Sequence, residues 1–317
     1  MILSPLSRLY GAFANIRNTL YEKGVFKSFP LGAKTISVGN ITFGGTGKTP
    51  FVAFIAEILA DAGEKVCILS RGYGRENPKE RVLVSDGNKI LANVKNDGDE
   101  PFELANKLIG KAIIIADANR VAAAKYARET FGVTAFVLDD AFQHRRAKRD
   151  LDIVLIDATK PFEILREPLK NLRRADLIVI TRANLIENIE DLKSEIAKFT
   201  DAQIFIAENK IENLTDLEHF PSNPQSTQKG TINYLVFCAL GNPQNFFEQL
   251  KRENFNLTAA ETFPDHHFYT QKDISNLEAK AAETGANALL ITAKDAVKLK
   301  NLQFNLPCFV AESRMIF

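Results

Sequence analysis

Residues 34–50 read Lys34-Thr-Ile-Ser-Val-Gly-Asn-Ile-Thr-Phe-Gly-Gly-Thr-Gly-Lys-Thr-Pro50, a short strand pattern that runs into a glycine-rich turn and then a Lys-Thr pair heading an apolar helix. Phosphate binding needs these residue types in this order. Gly44, Gly45 and Gly47 let the backbone curl so that its N–H groups converge on phosphate oxygens, and the positive end of the following helix adds to the attraction. Lys48 is then placed to reach β- and γ-phosphates and Thr49 to ligate Mg²⁺, with Thr42, Thr46 and Pro50 completing the loop. The strict phosphate-loop pattern has glycine where this chain has Thr42, and Gly39 lies three residues earlier.

Outward from the loop, apolar runs at 65–69, 112–116, 135–138, 153–156 and 177–180 alternate with helical stretches. Alternation of this kind predicts an α/β domain, a P-loop NTPase-like mostly parallel sheet with its ligands at the C-terminal strand ends. Residues 221–230 are polar and carry two prolines, so a linker is expected at 221–232. A second, smaller α/β domain is expected at 233–317, after a P-loop domain at 31–220. Ahead of both, residues 1–30 form an amphipathic helix pattern: Leu6, Leu9, Tyr10, Phe13, Ile16 and Leu20 recur at helical spacing among Arg8, Arg17, Lys23 and Lys27. Such a helix either lies in a membrane interface or packs on its own domain.

The chain of 317 residues has 40 basic and 39 acidic side chains, so no global field favours nucleic acid as a partner. Its three cysteines are far apart and suit neither a disulfide framework nor a zinc site. No apolar run approaches bilayer-spanning length.

Four apolar residues precede Asp139-Asp140, a Walker B form that places a carboxylate near Thr49 for Mg²⁺; Gln143, His144 and Arg145 crowd polar groups beside it. Asp157 follows a run of the same shape. The acidic turn 96–101 contains Asp99, which is either a helix N-cap or the base that accepts a hydroxyl proton in phosphoryl transfer. Arg71 and Arg120 lie just past strands, where an arginine meets a substrate phosphate or opens a helix with an ion pair. In the segment Phe263-Pro-Asp-His-His-Phe-Tyr269, a histidine can orient a carboxylate more readily than two adjacent histidines can share a metal. Guanine recognition wants an aspartate that Thr181-Arg182-Ala183-Asn184 lacks, so ATP is the expected nucleotide.

In order along the chain, Ser37-Val-Gly-Asn, Gly44-Gly-Thr-Gly-Lys-Thr-Pro50, Ser70-Arg-Gly-Tyr73, Gly98-Asp-Glu-Pro101, Leu138-Asp-Asp-Ala-Phe-Gln-His-Arg145, Leu165-Arg-Glu-Pro168, Arg174-Ala-Asp176 and Phe263-Pro-Asp-His266 resemble the tetraacyldisaccharide 4′-kinase family of lipid A biosynthesis. The resemblance implies transfer of the ATP γ-phosphate to the 4′-hydroxyl of an acylated glucosamine disaccharide 1-phosphate. It places the enzyme, expected as a monomer, peripherally at the cytoplasmic face of the bacterial inner membrane, with the N-terminal helix on the lipid surface. It also implies Asp99 as base with His266 as partner, Asp139 and Asp140 near Mg²⁺, and Arg166 and Glu167 in binding metal or substrate. The stretch Lys160-Pro-Phe-Glu-Ile before Leu165 departs from the family's Leu-Pro-Ala-Gly-Pro, which predicts a differently shaped loop. The alternative is a nucleotide-switch ATPase of the partitioning or metallochaperone type, whose phosphate loops have the same Gly-Gly-x-Gly-Lys-Thr form.

Overall fold

In the computed structural model, which describes residues 5–317 apart from 73, 74, 76, 92–98, 221–231 and 266, the phosphate-loop strand stands in the middle of a large sheet. The chain opens with α1 (Pro5–Glu22), β1 (Lys34–Asn40), α2 (Lys48–Asp61), β2 (Val66–Ser70) and β3 (Val82–Ser85). It continues through α3 (Asp99–Lys107), β4 (Ala112–Ala116), α4 (Arg120–Phe131), β5 (Ala135–Asp139) and β6 (Leu151–Asp157). This part closes with β7 (Leu177–Thr181), α5 (Ile189–Ala197) and β8 (Gln203–Ile206).

Among the described residues these strands form an eight-stranded sheet in the order β3-β4-β2-β5-β1-β6-β7-β8. Neighbours run parallel except β3, which pairs antiparallel with β4 at one edge. Every residue of β2, β4 and β5 is buried, as expected of parallel strands covered on both faces. From β1 the chain passes β5 to reach β2, and from β5 it crosses β1 to reach β6. The reversal at β1 is the switch point where open α/β sheets bind ligands. There Val38 is in register with Asp139 and Asn40 with Leu155.

The second unit comprises Asn209–Ile316, the first Met1–Glu208 together with Phe317. Its elements are β9 (Glu208–Asp216), β10 (Asn233–Cys238), α6 (Pro243–Arg252), β11 (Asn256–Thr262), α7 (Gln271–Thr284), β12 (Ala288–Thr292), α8 (Ala293–Leu299) and β13 (Cys308–Ile316). The sheet order is β11-β10-β12-β13-β9, with β10 parallel to β11 and β12 and β12 parallel to β13. Because β9 joins this second sheet, the units divide near Glu208 rather than at 221–232, a segment that, but for Ile232, lies outside the described residues. All three cysteines are buried, and burial pushes their thiols up, Cys238 to about 12.

Gly39 explains one part of the unusual loop spacing. A Cβ on Gly39 would stand 2.6 Å from both the backbone nitrogen and the Cβ of Phe142. The requirement is close approach, since β1 could not otherwise lie against the turn after β5. Gly39→Ala is expected to destabilise the first unit by about 2–3 kcal/mol through overpacking, measured by chemical denaturation. A wild-type midpoint would show that Phe142 yields without cost.

Candidate functional site

The phosphate loop is shaped by its glycines and braced by its neighbours. Gly44 has φ 106° and Gly47, the N-cap of α2, has φ 78°, both in the left-handed region that disfavours side chains. Thr42 has no such demand. It forms an antiparallel bridge with Leu165, flanked by bonds from Arg166 N to Ile41 O (2.7 Å) and from Phe43 N to Ile164 O (2.8 Å). Where the strict pattern would place glycine, this chain has a residue in an isolated backbone bridge. Asn40 donates to the Thr46 hydroxyl at 3.1 Å, Thr181 donates to the Thr46 carbonyl at 3.0 Å, and Gln143 donates to the Asn40 carbonyl at 2.8 Å.

Lys48 opens α2, and its ammonium lies 3.5 Å from a carboxylate oxygen of Asp140. The other cation on Asp140 is Arg166, which donates to its two oxygens at 2.9 and 2.8 Å. Asp140 itself has φ 48°, an uncommon conformation for a residue with a side chain and one found at functional sites. Burial would raise its proton affinity, but Lys48 and Arg166 outweigh burial and hold the carboxyl below the usual range. Asp139 behaves oppositely. It is buried at the end of β5, and desolvation together with the Asp140 charge pushes it up against the opposing pull of Lys48, Ser70 and Arg120. Ser70 donates to it at 3.0 Å from the end of β2.

Arg120 is 2% exposed and spends its guanidinium on the carbonyls of Asp117 and Asp139. Burial lowers its pKa to about 10. Arg71 is exposed beside it. His144, in the turn after β5, is pushed down to about 4 by burial and by the charges of Arg120, Arg149, Arg146 and Arg71. That turn is stapled by Arg149, which donates to the carbonyls of Phe142, His144 and Ala147 and pairs with Asp152 at 2.6 Å.

Two expected site residues, Arg145 and Glu167, are engaged elsewhere. Arg145 donates to the Asn18 carbonyl at 2.9 Å and lies over the Tyr21 ring, so it anchors α1. Glu167 is wholly buried and accepts at Oε2 from Asn18, Asn171 and Arg174 at 2.8, 2.8 and 2.6 Å, with Arg17 3.7 Å from its other oxygen. Asp157, with its Walker-like run, pairs with Arg182 and Thr159. Among the expected catalytic pair, His266 and the side chain of Asp99 lie outside what is described, although the Asp99 backbone begins α3.

Arg182 was missed as a site residue because its position was weighed only for guanine recognition. Its backbone is left-handed at φ 56°, and besides Asp157 its guanidinium reaches the Gly45 carbonyl at 2.8 Å. It fastens the phosphate loop to the ends of β6 and β7.

A profile of the family described as Tetraacyldisaccharide-1-P 4'-kinase, LpxK, matches residues 1–317. The chain belongs to that family. Tetraacyldisaccharide 4'-kinase of Halothermothrix orenii is 36% identical, covering 94% of this chain and 82% of the relative. The enzyme of the same name from Desulfotalea psychrophila is 34% identical over 98% of this chain and 91% of its own length. Among solved structures, LpxK from Aquifex aeolicus in complex with ATP superposes with a TM-score of 0.78 at 31% identity, covering 98% of this chain and 93% of that one. Family membership favours the phosphotransferase reading over the nucleotide switch.

Arg182→Ala removes a charge-assisted bond worth about 1.5–3 kcal/mol and is expected to raise the KM for ATP roughly tenfold with a smaller effect on kcat. Steady-state kinetics measures it; an unchanged KM would free the loop from Arg182. For His144, the native ring titrates near 4 against 6.5 when unperturbed, so below pH 6.5 the unfolded chain takes up a proton that the native chain refuses. This contribution is intact above about pH 6.5 and falls as pH drops toward about 4. Denaturation midpoints across that range should fall less steeply in His144→Gln than in the parent protein.

Proposed function

We propose that this chain transfers the γ-phosphate of ATP to the 4′-hydroxyl of a tetraacyldisaccharide 1-phosphate. The observation that carries the reading is Lys48 facing Asp140 beneath a glycine-rich loop at the sheet's switch point, in a chain of this family.

Most of the acceleration in such a reaction comes from positioning and neutralising charge on the phosphoryl group. Lys48 supplies a cation that Asp140 keeps aimed at the loop mouth, and the N–H groups of the loop and of the first turn of α2 orient the phosphates. The donor set suits Mg²⁺: Thr49, Asp139 and Asp140 offer hard oxygens, and phosphoryl-transfer sites hold this ion with one or two carboxylates plus phosphate. Asp139 fits the part well, because a buried carboxyl with raised proton affinity gains most from a nearby cation. When bound, Mg²⁺ neutralises developing charge on the β- and γ-oxygens. Asp99 accepts the proton of the attacking hydroxyl, and His266 assists it. Arg71, which is exposed, lends positive charge to the acceptor's phosphate, whereas Arg120 is buried against the Asp117 and Asp139 carbonyls and supports the frame of the site.

No helix among the described residues is long and apolar enough to cross a membrane. The acceptor carries acyl chains, so the enzyme meets it at a lipid surface, peripherally at the cytoplasmic face of the inner membrane. Support comes from Ile16, Val25 and Phe26, which are exposed beside the exposed cations Lys23 and Lys27.

The assay is γ-labelled ATP with acylated disaccharide 1-phosphate in detergent micelles. Label in the lipid is expected; label only in free phosphate would favour a nucleotide switch instead. Asp99→Ala should lower kcat by about 10²–10⁴-fold with little change in ATP KM. Near-normal turnover in that variant would reduce Asp99 to a helix cap.

A further inference from the structure

Arg166 and Glu167 are consecutive, and their side chains serve different parts of the protein. Arg166 holds Asp140, and its backbone nitrogen bonds the Ile41 carbonyl at the root of the phosphate loop. Glu167 turns instead toward α1, where Asn18 donates to it at 2.8 Å and Arg17 approaches to 3.7 Å. Asn171 and Arg174 donate to the same oxygen, Oε2, that Asn18 reaches, and Arg174 lies 4.1 Å from the centre of the Phe142 ring. A second line leads to the loop from the same helix. The Asn18 carbonyl holds Arg145; two residues earlier Gln143 holds the Asn40 carbonyl, and Asn40 holds the Thr46 hydroxyl.

The two faces of α1 are therefore unlike. Gly11, Ala14 and Asn18 are buried, with Gly11 set against the Pro168 ring, whereas Ile16 is 59% exposed. A helix that only met lipid would not need a buried asparagine paired with a buried glutamate. Burying a carboxylate is costly, and the groups that offset it here, Asn18 and Arg17 from α1 and Asn171 and Arg174 from just past Pro168, tie the helix to the segment that carries Arg166.

We infer that Asn18 and Glu167 are positioning residues of the nucleotide site, through which α1 sets the Leu165–Arg166 segment and so the aim of Asp140, Lys48 and the phosphate loop. The inference rests on the ATP-dependent reading above. It makes α1 part of the donor site's frame, in addition to any part it has with lipid. Neither residue touches the nucleotide; both act through Arg166 and the Ile41 carbonyl.

The test measures binding of the non-hydrolysable analogue AMP-PNP with Mg²⁺ to the full chain in solution free of lipid and detergent, by calorimetry. Asn18→Ala and Glu167→Gln are each expected to raise Kd by about fivefold or more, while Ile16→Ala, on the exposed face of the same helix, leaves Kd unchanged. Thermal melting run alongside separates this from general damage, and Asn18→Ala, which keeps the carbonyl that holds Arg145, serves if Glu167→Gln fails to fold. Wild-type Kd in a folded Asn18→Ala protein would overturn the inference. An equal loss in Ile16→Ala would overturn it too, by showing that any change in α1 weakens binding. Failure of the wild-type protein to bind the analogue would remove the nucleotide site itself, and with it both readings.

Discussion

A carboxylate held between two cations sets the geometry of the first unit's active edge. Asp140 accepts from Arg166 and faces Lys48, and it does so from a left-handed backbone that only a well-braced turn can maintain. Each partner comes from a different stretch of chain: Lys48 from the start of α2, Asp140 from the turn after β5, Arg166 from the loop between β6 and β7. Losing one cation would leave a half-buried charge short of a partner, so the three stretches favour one arrangement. The neighbouring Asp139 shares Lys48 but has Arg120 in place of Arg166, and from a drier place it ends with the opposite shift. Two adjacent carboxyls thus divide the work. One is held below the usual carboxylate range between two cations and aims a lysine, and the other is pushed up by burial and by its neighbour's charge.

Around that pair the loop is built more like a strand than a flexible tether. Its root is bridged to Leu165, its crown is held by Thr181, Asn40 and Arg182, and its two left-handed positions are glycines. Ordering a chain segment on binding costs free energy, so a loop already fixed by backbone pairing presents its N–H groups with little further loss. The stapling of the turn 142–147 by Arg149 serves the other wall in the same way.

Much of this was legible in the sequence. The strands at 112–116 and 288–292 fall where apolar runs end at polar residues, and the Gly-Lys-Thr turn with the Asp139-Asp140 strand end marks the nucleotide edge from local pattern alone. What was not legible depends on partners distant in sequence. β3 is short and pairs antiparallel at an edge, which gives it no long apolar run. β9 alternates exposed and buried residues with many polar side chains, so nothing local assigns it to the second sheet. Glu167 lies beside Arg166 in an Arg-Glu-Pro string that suggests shared chemistry, yet its hydrogen bond to Asn18 spans 149 positions. Arg182 sits where a base-reading residue would stand, and only folding shows that its guanidinium faces Gly45.

The bridge between Thr42 and Leu165 has a consequence for how this family's loops can vary. Arg166 and Glu167 reach to different sides of this segment, so a slip of one residue would exchange them, sending the carboxylate toward Asp140 and the guanidinium toward α1. The backbone bonds at Ile41 and Phe43 lock the count from Leu165 onward. Ile164 supplies a carbonyl to that lock, so the composition of residues 160–163 can change while the frame is set where the two segments pair.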